Sequence, residues 1–185
     1  LIDDVKLNKN NMKLWRKQIG YVPQKIFIIN GNILENICIG MNEKYFEKNK
    51  AIQCLRIAGL EEFATDDKNG ILREIGEKGL KISGGQIQRI GIARALYNNP
   101  EVLIFDEVTS ALDAIAERKF YKTLNNLLKQ NKTIILISHK VDYLKKINSI
   151  NLIKDGKLYK SGSFQELEKE NEFKKLLIND KKNIN

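Results

Sequence analysis

Short apolar runs and amphipathic stretches alternate along much of the chain. The runs "IGYV", "EVLIFDE", "KTIILIS" and "INLI" are rich in β-branched and aromatic residues and have the length of strands. Amphipathic stretches such as "NNMKLWRKQ" and "DAIAERKFYKTLNNLLKQ" have apolar residues at helical spacing. This alternation predicts an α/β fold built from βαβ units, with a mostly parallel sheet covered on both faces.

A segment dominated by helices interrupts this pattern between Gly31 and Asn98. Its helical stretches are "NILENICI", "EKYFEKNKAIQCLRIAGL" and the stretch after Ser83. We therefore predict an α/β core and an inserted helical subdomain. The predicted boundaries are residues 1–24 and 99–162 for the core, 25–98 for the helical subdomain, and 163–185 for a C-terminal helix and tail.

Two local signals mark the C-terminal part of the chain. An Asp-Gly pair in "NLIKDGKLYK" predicts the turn of a β-hairpin. Ser163 and Glu166 have the spacing of a capping box, which predicts that a helix begins in "SFQELEKENEFKKLL".

Composition narrows the classes of partner. The formal net charge is +9, but the lysines are scattered and interleaved with asparagine, which favours a solvated surface over a nucleic-acid partner. The longest apolar runs, such as "IFII", are far short of the roughly 20 residues that span a membrane. The two cysteines have neither disulfide nor metal spacing, which fits a reducing cytosol. Because the chain opens on Leu1 rather than Met, we expect it to be a fragment of a longer protein.

The stretch "KISGGQIQRIGIARAL", residues 81 to 96, has the pattern of a glycine-rich turn that leads into a helix. Ser83 can cap this helix, and Gly84 and Gly85 allow the backbone to approach a ligand closely. Backbone N–H groups at such a helix start converge on an anion, so a phosphate site is predicted here. The buried stripe of the helix is predicted to be Ile87, Ile90, Ala93 and Leu96.

Polar side chains follow three of the predicted strands. Asp106 and Glu107 follow "VLIF", His139 follows "TIILIS", and Gln24 follows "YVP". Open α/β sheets place their ligand crevice at the carboxyl ends of the strands, where one carboxylate can hold Mg²⁺ and another can polarise water. Each residue alone also has a plain explanation, as a helix cap, a surface histidine or a turn residue.

Taken together and in order, these stretches resemble the motifs of ATP-binding cassette (ABC) ATPases. "KISGGQIQR" resembles the signature motif, "VLIFDE" the Walker B motif, "SALD" the D-loop, "SHK" the H-loop and "YVPQ" the Q-loop. Each motif is weak alone, but all five occur in family order, and the resemblance covers the chain from about Leu1 to about Leu177. It implies a P-loop NTPase-like core with an inserted α-helical subdomain.

The resemblance also implies a role for each residue at the strand ends. Glu107 would be the general base that orients the attacking water, and Asp106 would reach Mg²⁺ through water. Gln24 would sense the metal and the γ-phosphate of ATP, and His139 would contact the γ-phosphate. Such roles suit phosphoryl transfer, in which positioning and electrostatics do nearly all of the catalysis.

In this family the signature turn holds the γ-phosphate of a nucleotide that is bound mainly by another subunit. The resemblance therefore implies a head-to-tail dimer of two ATPase domains with two ATP molecules between them, and Asp113 would lie at the shared seam. The residues of the signature turn are Ser83, Gly84, Gly85 and Gln86.

The phosphate loop of the family, GxxxxGK[ST] or Walker A, does not occur in this sequence. Family members carry it upstream of the segment that "LIDDVKL" resembles, so we expect the chain to begin just after it, with the N-terminal part of the core missing. We expect the fragment alone neither to bind nor to hydrolyse ATP appreciably, and to be poorly soluble.

Two further segments resemble exporter-type cassettes. "REIGEKG" is similar to the TEVGERG-like segment of exporters, in which the glutamate, here Glu74, meets cytoplasmic loops of the membrane domains. "IFIINGNILENI" is similar to the exporter segment after the Q-loop. Without these surroundings, Glu74 would be a solvated loop carboxylate.

The function implied is that of the ATPase domain of an ABC exporter or flippase, with transmembrane domains fused upstream, at the cytoplasmic face of the inner membrane. The cargo, whether lipid, lipid-linked sugar, peptide or drug, stays open, as does the choice between homodimer and heterodimer. The alternatives are a soluble ABC ATPase that acts on DNA or ribosomes, and a non-enzymatic remnant that lends its signature turn to a partner.

Overall fold

The computed structural model describes residues 2–109, 112, 114–139 and 142–182, which divide into two compact units, Leu1–Ile137 and Ser138–Asn185. In the first unit the strands are β1 (Ile19–Val22), β2 (Val102–Asp106) and β3 (Thr133–Ile137). Its α-helices are α1 (Met12–Lys17), α2 (Ile33–Ile37), α3 (Lys48–Ile57), α4 (Gly84–Tyr97) and α5 (Ala114–Leu128). The second unit contains β4 (Ile150–Lys154), β5 (Lys157–Gly162), α6 (Phe164–Leu167) and α7 (Asn171–Lys182).

The sheet of the first unit is parallel, in the order β1-β2-β3. One face carries Val22, Leu103 and Phe105, each 0% exposed, and the partly buried Ile134 and Leu136 of β3. Phe120 of α5 packs edge-on against Phe105, with ring centroids 5.3 Å apart. The predicted parallel sheet is confirmed, and it brings the carboxyl ends of all three strands to one edge. The prediction that both faces are covered is not met in the described residues, because Tyr21, Ile135 and Ile137 on the other face are about half exposed.

Helix α4 packs against α2, α3 and β1. Three residues of its predicted stripe, Ile90, Ala93 and Leu96, are buried, but Ile87 is only partly so. Burial extends well beyond the predicted stripe because three elements surround the helix; the additional buried residues are Gln88, Gly91, Ile92, Ala95 and Tyr97. A side chain at Gly20 of β1 would meet the carbonyl oxygen of Ala95 at 2.7 Å, so the glycine allows helix and strand to lie in contact.

The predicted long helix over "EKYFEKNKAIQCLRIAGL" is divided in the structure. Glu43–Tyr45 forms a short 3-10 turn, and α3 begins only at Lys48. The reason is tertiary: the backbone N–H of Glu47 donates to the hydroxyl of Tyr97 at 2.8 Å, and Glu47 itself is extended.

Both cysteines, Cys38 and Cys54, are buried in this helical region. Burial raises the pKa of Cys54 to about 11 and also raises the pKa of Cys38. Both are free thiols in the structure and therefore behave as small apolar residues.

The second unit confirms the predicted hairpin and capping box. Strands β4 and β5 pair antiparallel, and the turn residues Asp155 and Gly156 both have positive φ, 50° and 72°. Ser163 caps α6 reciprocally with Glu166. The core of the unit is small and comprises Ile150, Leu152, Leu167 and Phe173. A 3-10 segment, Asp142–Lys146, precedes β4.

Within the parts of the chain that the structure describes, every helix is too short or too polar to span a bilayer.

Candidate functional site

Two neighbouring strand ends bring together an amide and a carboxylate that the sequence predicts to be functional. Strands β1 and β2 are parallel neighbours, with Val22 opposite Phe105. The side-chain amide Nε2 of Gln24, just beyond β1, donates to Oε2 of Glu107, just beyond β2, at 2.6 Å. The structure therefore joins two predicted site residues that are 83 positions apart in the chain.

The backbone at Glu107 is bent in a way that few residues adopt. Its φ is 49°, in the left-handed region, where a non-glycine residue costs about 1 to 3 kcal/mol. Its N–H donates to the carbonyl oxygen of Ile137, the last residue of β3, at 3.0 Å. The chain thus leaves the strand geometry directly after Asp106, while a hydrogen bond across the sheet fixes the bend.

A tyrosine that is not among the residues predicted from the sequence also contacts this edge. The hydroxyl of Tyr21 in β1 donates to Oδ2 of Asp106 at 2.9 Å. This hydrogen bond raises the pKa of the Tyr21 phenol above its ordinary value, so the phenol keeps its proton at neutral pH and acts as a donor. Together, Tyr21, Gln24, Asp106 and Glu107 form what we call the strand-end site.

The glycine-rich turn before α4 is organised by a reciprocal cap. Ser83 Oγ accepts from the N–H of Gln86 at 3.2 Å, and Gln86 Oε1 accepts from the N–H of Ser83 at 2.9 Å. Ser83 and Gly84 are exposed, and nothing lies within 4 Å of a Cβ built on Gly84. A helix of 14 residues therefore starts with open space beside Gly84, which suits a phosphate group. We call residues 83–86 the signature turn.

The two exporter-like segments of the sequence lie side by side. Glu74 forms an isolated antiparallel bridge with Asn32, and the N–H of Ile75 donates to the carbonyl oxygen of Gly31 at 3.1 Å. Ile75 is fully buried, whereas Glu74 is exposed. The buried Ile75 side chain and its backbone hydrogen bond therefore fix the loop, and the Glu74 carboxylate lies at the surface.

A protein-family model described as ABC transporter matches residues 1–110, which is more than half of the chain. The chain belongs to the ABC transporter family. The family identified from the five motifs is thereby confirmed.

Relatives of this ABC transporter chain include export proteins. The alpha-hemolysin translocation ATP-binding protein HlyB of Escherichia coli O157:H7 is 39% identical over 167 residues, which are 90% of this chain and 23% of that protein. The ATP-dependent lipid A-core flippase of Coxiella burnetii is 37% identical over 166 residues, which are 90% of this chain and 28% of that protein.

A solved structure of a bacterial Atm1-family ABC exporter with ATP bound matches with a TM-score of 0.77 at 30% identity, over 89% of this chain and 29% of that one. The predicted P-loop NTPase-like fold and the exporter-type ABC ATPase domain are confirmed. The chain spans less than a third of the length of these relatives.

The donor set of the strand-end site fits a magnesium ion better than a softer metal. Among the described residues, no group of three or more histidine, cysteine, aspartate or glutamate side chains could hold a metal alone. Mg²⁺ prefers oxygen ligands and is commonly held by one or two carboxylates together with waters and substrate phosphates. The carboxylate of Asp106 and the amide oxygen of Gln24 are ligands of that kind.

The roles of two further predicted site residues of this ABC transporter chain stay predictions. His139 follows β3 by two residues. Asp113 lies outside the described residues.

Proposed function

We propose that this chain is the ATP-binding and ATP-hydrolysing domain of an ABC exporter or flippase. The observation that carries the proposal is the 2.6 Å hydrogen bond from Gln24 to Glu107, at adjacent carboxyl ends of a parallel sheet. In open α/β sheets, ligands bind outside these strand ends. The likeness to named export proteins supports a role in translocation.

The strand-end site suits the hydrolysis of a terminal phosphate. Glu107 acts as general base, because its carboxylate lies at the edge of the sheet, where a water can reach it, and the Gln24 amide fixes its direction. Asp106 and Gln24 would hold Mg²⁺, Asp106 through water, and Gln24 would also sense the γ-phosphate. The magnesium ion, when bound, neutralises charge on the phosphate oxygens. His139 contacts the γ-phosphate.

The signature turn serves a second nucleotide in this proposal. Its exposed amides bind the γ-phosphate of an ATP molecule held mainly by a partner domain, and two domains pair head to tail with Asp113 at the seam. The support is the open space around Gly84 together with the cap that fixes the turn.

Coupling to transport occurs through the exposed Glu74 loop. We place the chain at the cytoplasmic face of a membrane, joined to transmembrane domains whose cytoplasmic loops meet Glu74. The cargo belongs to the lipid, lipid-linked sugar, peptide or drug classes. The side-by-side packing of the two exporter-like segments supports a common docking role.

The test is Glu107→Gln in the full-length natural protein. The amide is isosteric and can still accept a hydrogen bond from Gln24, but it cannot take a proton from water. We expect the ATPase rate to fall by at least about 100-fold, the range for a lost general base. ATP affinity, measured by equilibrium binding, should stay within about twofold.

A matched control uses the other end of the same strand. Glu101 is exposed and directly precedes β2. Glu101→Gln therefore makes the same chemical change at the amino end of the strand, away from the carboxyl ends that form the strand-end site. It should leave the ATPase rate unchanged. If the Glu107→Gln protein hydrolyses ATP at the wild-type rate, Glu107 is not the general base.

A further inference from the structure

The segment "YVPQ" contacts both carboxylates of the strand-end site, not one. Gln24 donates to Glu107 at 2.6 Å, and Tyr21, three residues earlier, donates to Asp106 at 2.9 Å. The first contact involves a residue predicted from the sequence. The second involves a residue to which no role has been given.

The register of the sheet accounts for this second contact. Tyr21 lies opposite Ile104 in the parallel pair of β1 and β2. Side chains alternate along a strand, so Asp106, two residues beyond Ile104, projects from the same face as Tyr21. A diagonal neighbour at this spacing is within reach of a tyrosine hydroxyl.

Burial alone does not explain why a tyrosine occupies this position. The side chain is 52% exposed, while Val22 beside it is completely buried. A half-exposed ring contributes less to the core than a buried one, but its hydroxyl is placed on a carboxylate oxygen. A phenol O–H is a hydrogen-bond donor, so it can hold one oxygen of a carboxylate in place.

We propose that Tyr21 is a positioning residue for Asp106, which orients this carboxylate toward the magnesium ion. The inference rests on the proposed function of the strand-end site. By donating to Oδ2, the phenol fixes the rotation of the carboxylate and leaves it correctly directed for the water that bridges to the metal. Groups that orient metal-binding carboxylates in this way commonly change metal affinity by 10- to 100-fold when removed.

The experiment is Tyr21→Phe in the full-length natural protein, which removes one oxygen atom and keeps the ring. Mn²⁺ is the probe, and its affinity is measured by electron paramagnetic resonance in the presence of a non-hydrolysable ATP analogue. We expect Mn²⁺ to bind about tenfold more weakly. Affinity for the analogue without metal, measured in EDTA, should be unchanged.

A double-mutant cycle separates positioning from a general structural effect. In an Asp106→Ala background, which removes the acceptor of the phenol, Tyr21→Phe should change Mn²⁺ affinity by less than about twofold. Tyr45→Phe is the matched control, since Tyr45 is 60% exposed and lies in a separate 3-10 turn. It should leave Mn²⁺ affinity unchanged.

Three outcomes would overturn the inference. Unchanged or tighter Mn²⁺ binding by the Tyr21→Phe protein would show that the phenol does not position Asp106, while the proposed function would stand. An equal loss in the Asp106→Ala background would assign the effect to folding. Absence of metal-dependent nucleotide binding in the wild-type protein would overturn the proposed function itself, and the inference with it.

Discussion

Asn36 shows how one buried side chain can fix the path of a loop. It is 0% exposed, and its Oδ1 accepts from the N–H of Ile29 at 2.9 Å. Its Nδ2 donates to the carbonyl oxygens of Ile29 and Asn32 at 3.1 and 3.0 Å. The buried amide therefore has hydrogen-bond partners for both its oxygen and its nitrogen, and it holds the loop at Ile29 against α2.

Asn36→Ala should loosen this stretch locally. The Ile29 amide and carbonyl would lose their partners, which costs about 1 to 3 kcal/mol for a buried group. Hydrogen–deuterium exchange of a peptide covering residues 26–31 should accelerate by about 10- to 100-fold in the full-length protein. Exchange at the wild-type rate would mean that other contacts hold the loop.

The control is a second asparagine whose hydrogen bond is at the surface. Asn42 is exposed and its side chain accepts from the N–H of Lys44 at 3.2 Å. Asn42→Ala should leave exchange of residues 26–31 unchanged.

At this scale, the sequence predicts site residues that lie at the ends of strands. It does not predict contacts that depend on how two strands are aligned with each other. Gln24 and Glu107 are each at the end of an apolar run, so their meeting could be predicted. Tyr21 meets Asp106 across 85 positions, and the contact depends on which residue of β1 lies opposite Ile104. Periodicity within one strand does not contain that information.

At the scale of elements, α4 combines a buried body with an exposed start. Its middle is held by α2, α3 and β1, so the helix is rigid, while Ser83 and Gly84 at its beginning are exposed. A rigid helix with open first amides is a fixed source of positive potential. This arrangement predicts that charge, not shape alone, matters at the signature turn.

Gly84→Asp should separate phosphate binding from helix stability. No atom lies within 4 Å of a Cβ at Gly84, and Gly84 does not have a positive φ, so the new side chain fits. A carboxylate in the first turn is favourable for the helix but repels a phosphate. We expect an unchanged unfolding midpoint and loss of at least about 90% of the ATPase rate in the full-length protein.

Gly84→Ala is the uncharged counterpart and should keep more of the ATPase rate than the aspartate variant. Equal loss in both variants would point to steric hindrance, and full activity of Gly84→Asp would exclude the turn as a phosphate site.

Element boundaries were predictable where the signal is local. The helix cap at Ser83, the capping box at Ser163 and the Asp-Gly hairpin depend on residues within a few positions of each other, and all form as predicted. The start of α3 depends instead on the hydroxyl of Tyr97, 50 positions beyond Glu47. Helical periodicity alone cannot reveal such a partner.

At the scale of the whole molecule, the chain has two separate features that suit ATP: the strand-end site and the signature turn. A head-to-tail pair would place the turn of one domain on the nucleotide of the other. Each ATP site would then consist of the strand-end site of one chain and the signature turn of the other. It would need an intact Glu107 from the first chain and an intact Gly84 from the second. This requirement can be tested by mixing variants.

Co-assembly of Glu107→Gln and Gly84→Asp full-length proteins should restore activity that neither variant has alone. For two copies of this chain in a 1:1 mixture, half of the pairs are mixed, and each has one intact site of two. The expected rate is therefore about one quarter of the wild-type rate. Measurement of ATPase activity in the purified mixture checks this.

The control places both substitutions in one chain and mixes it with wild type. Its mixed pairs contain no intact site, so only wild-type pairs contribute activity. A mixture of the single variants that stays inactive would contradict the head-to-tail arrangement.

The short stretch between Tyr21 and Gln24 links two hydrogen bonds of the strand-end site. Only Val22, which is completely buried, and Pro23, whose ring fixes φ, separate the two residues. The stretch is therefore stiff, so a change that shifts this segment would alter the hydrogen bonds to Asp106 and Glu107 together.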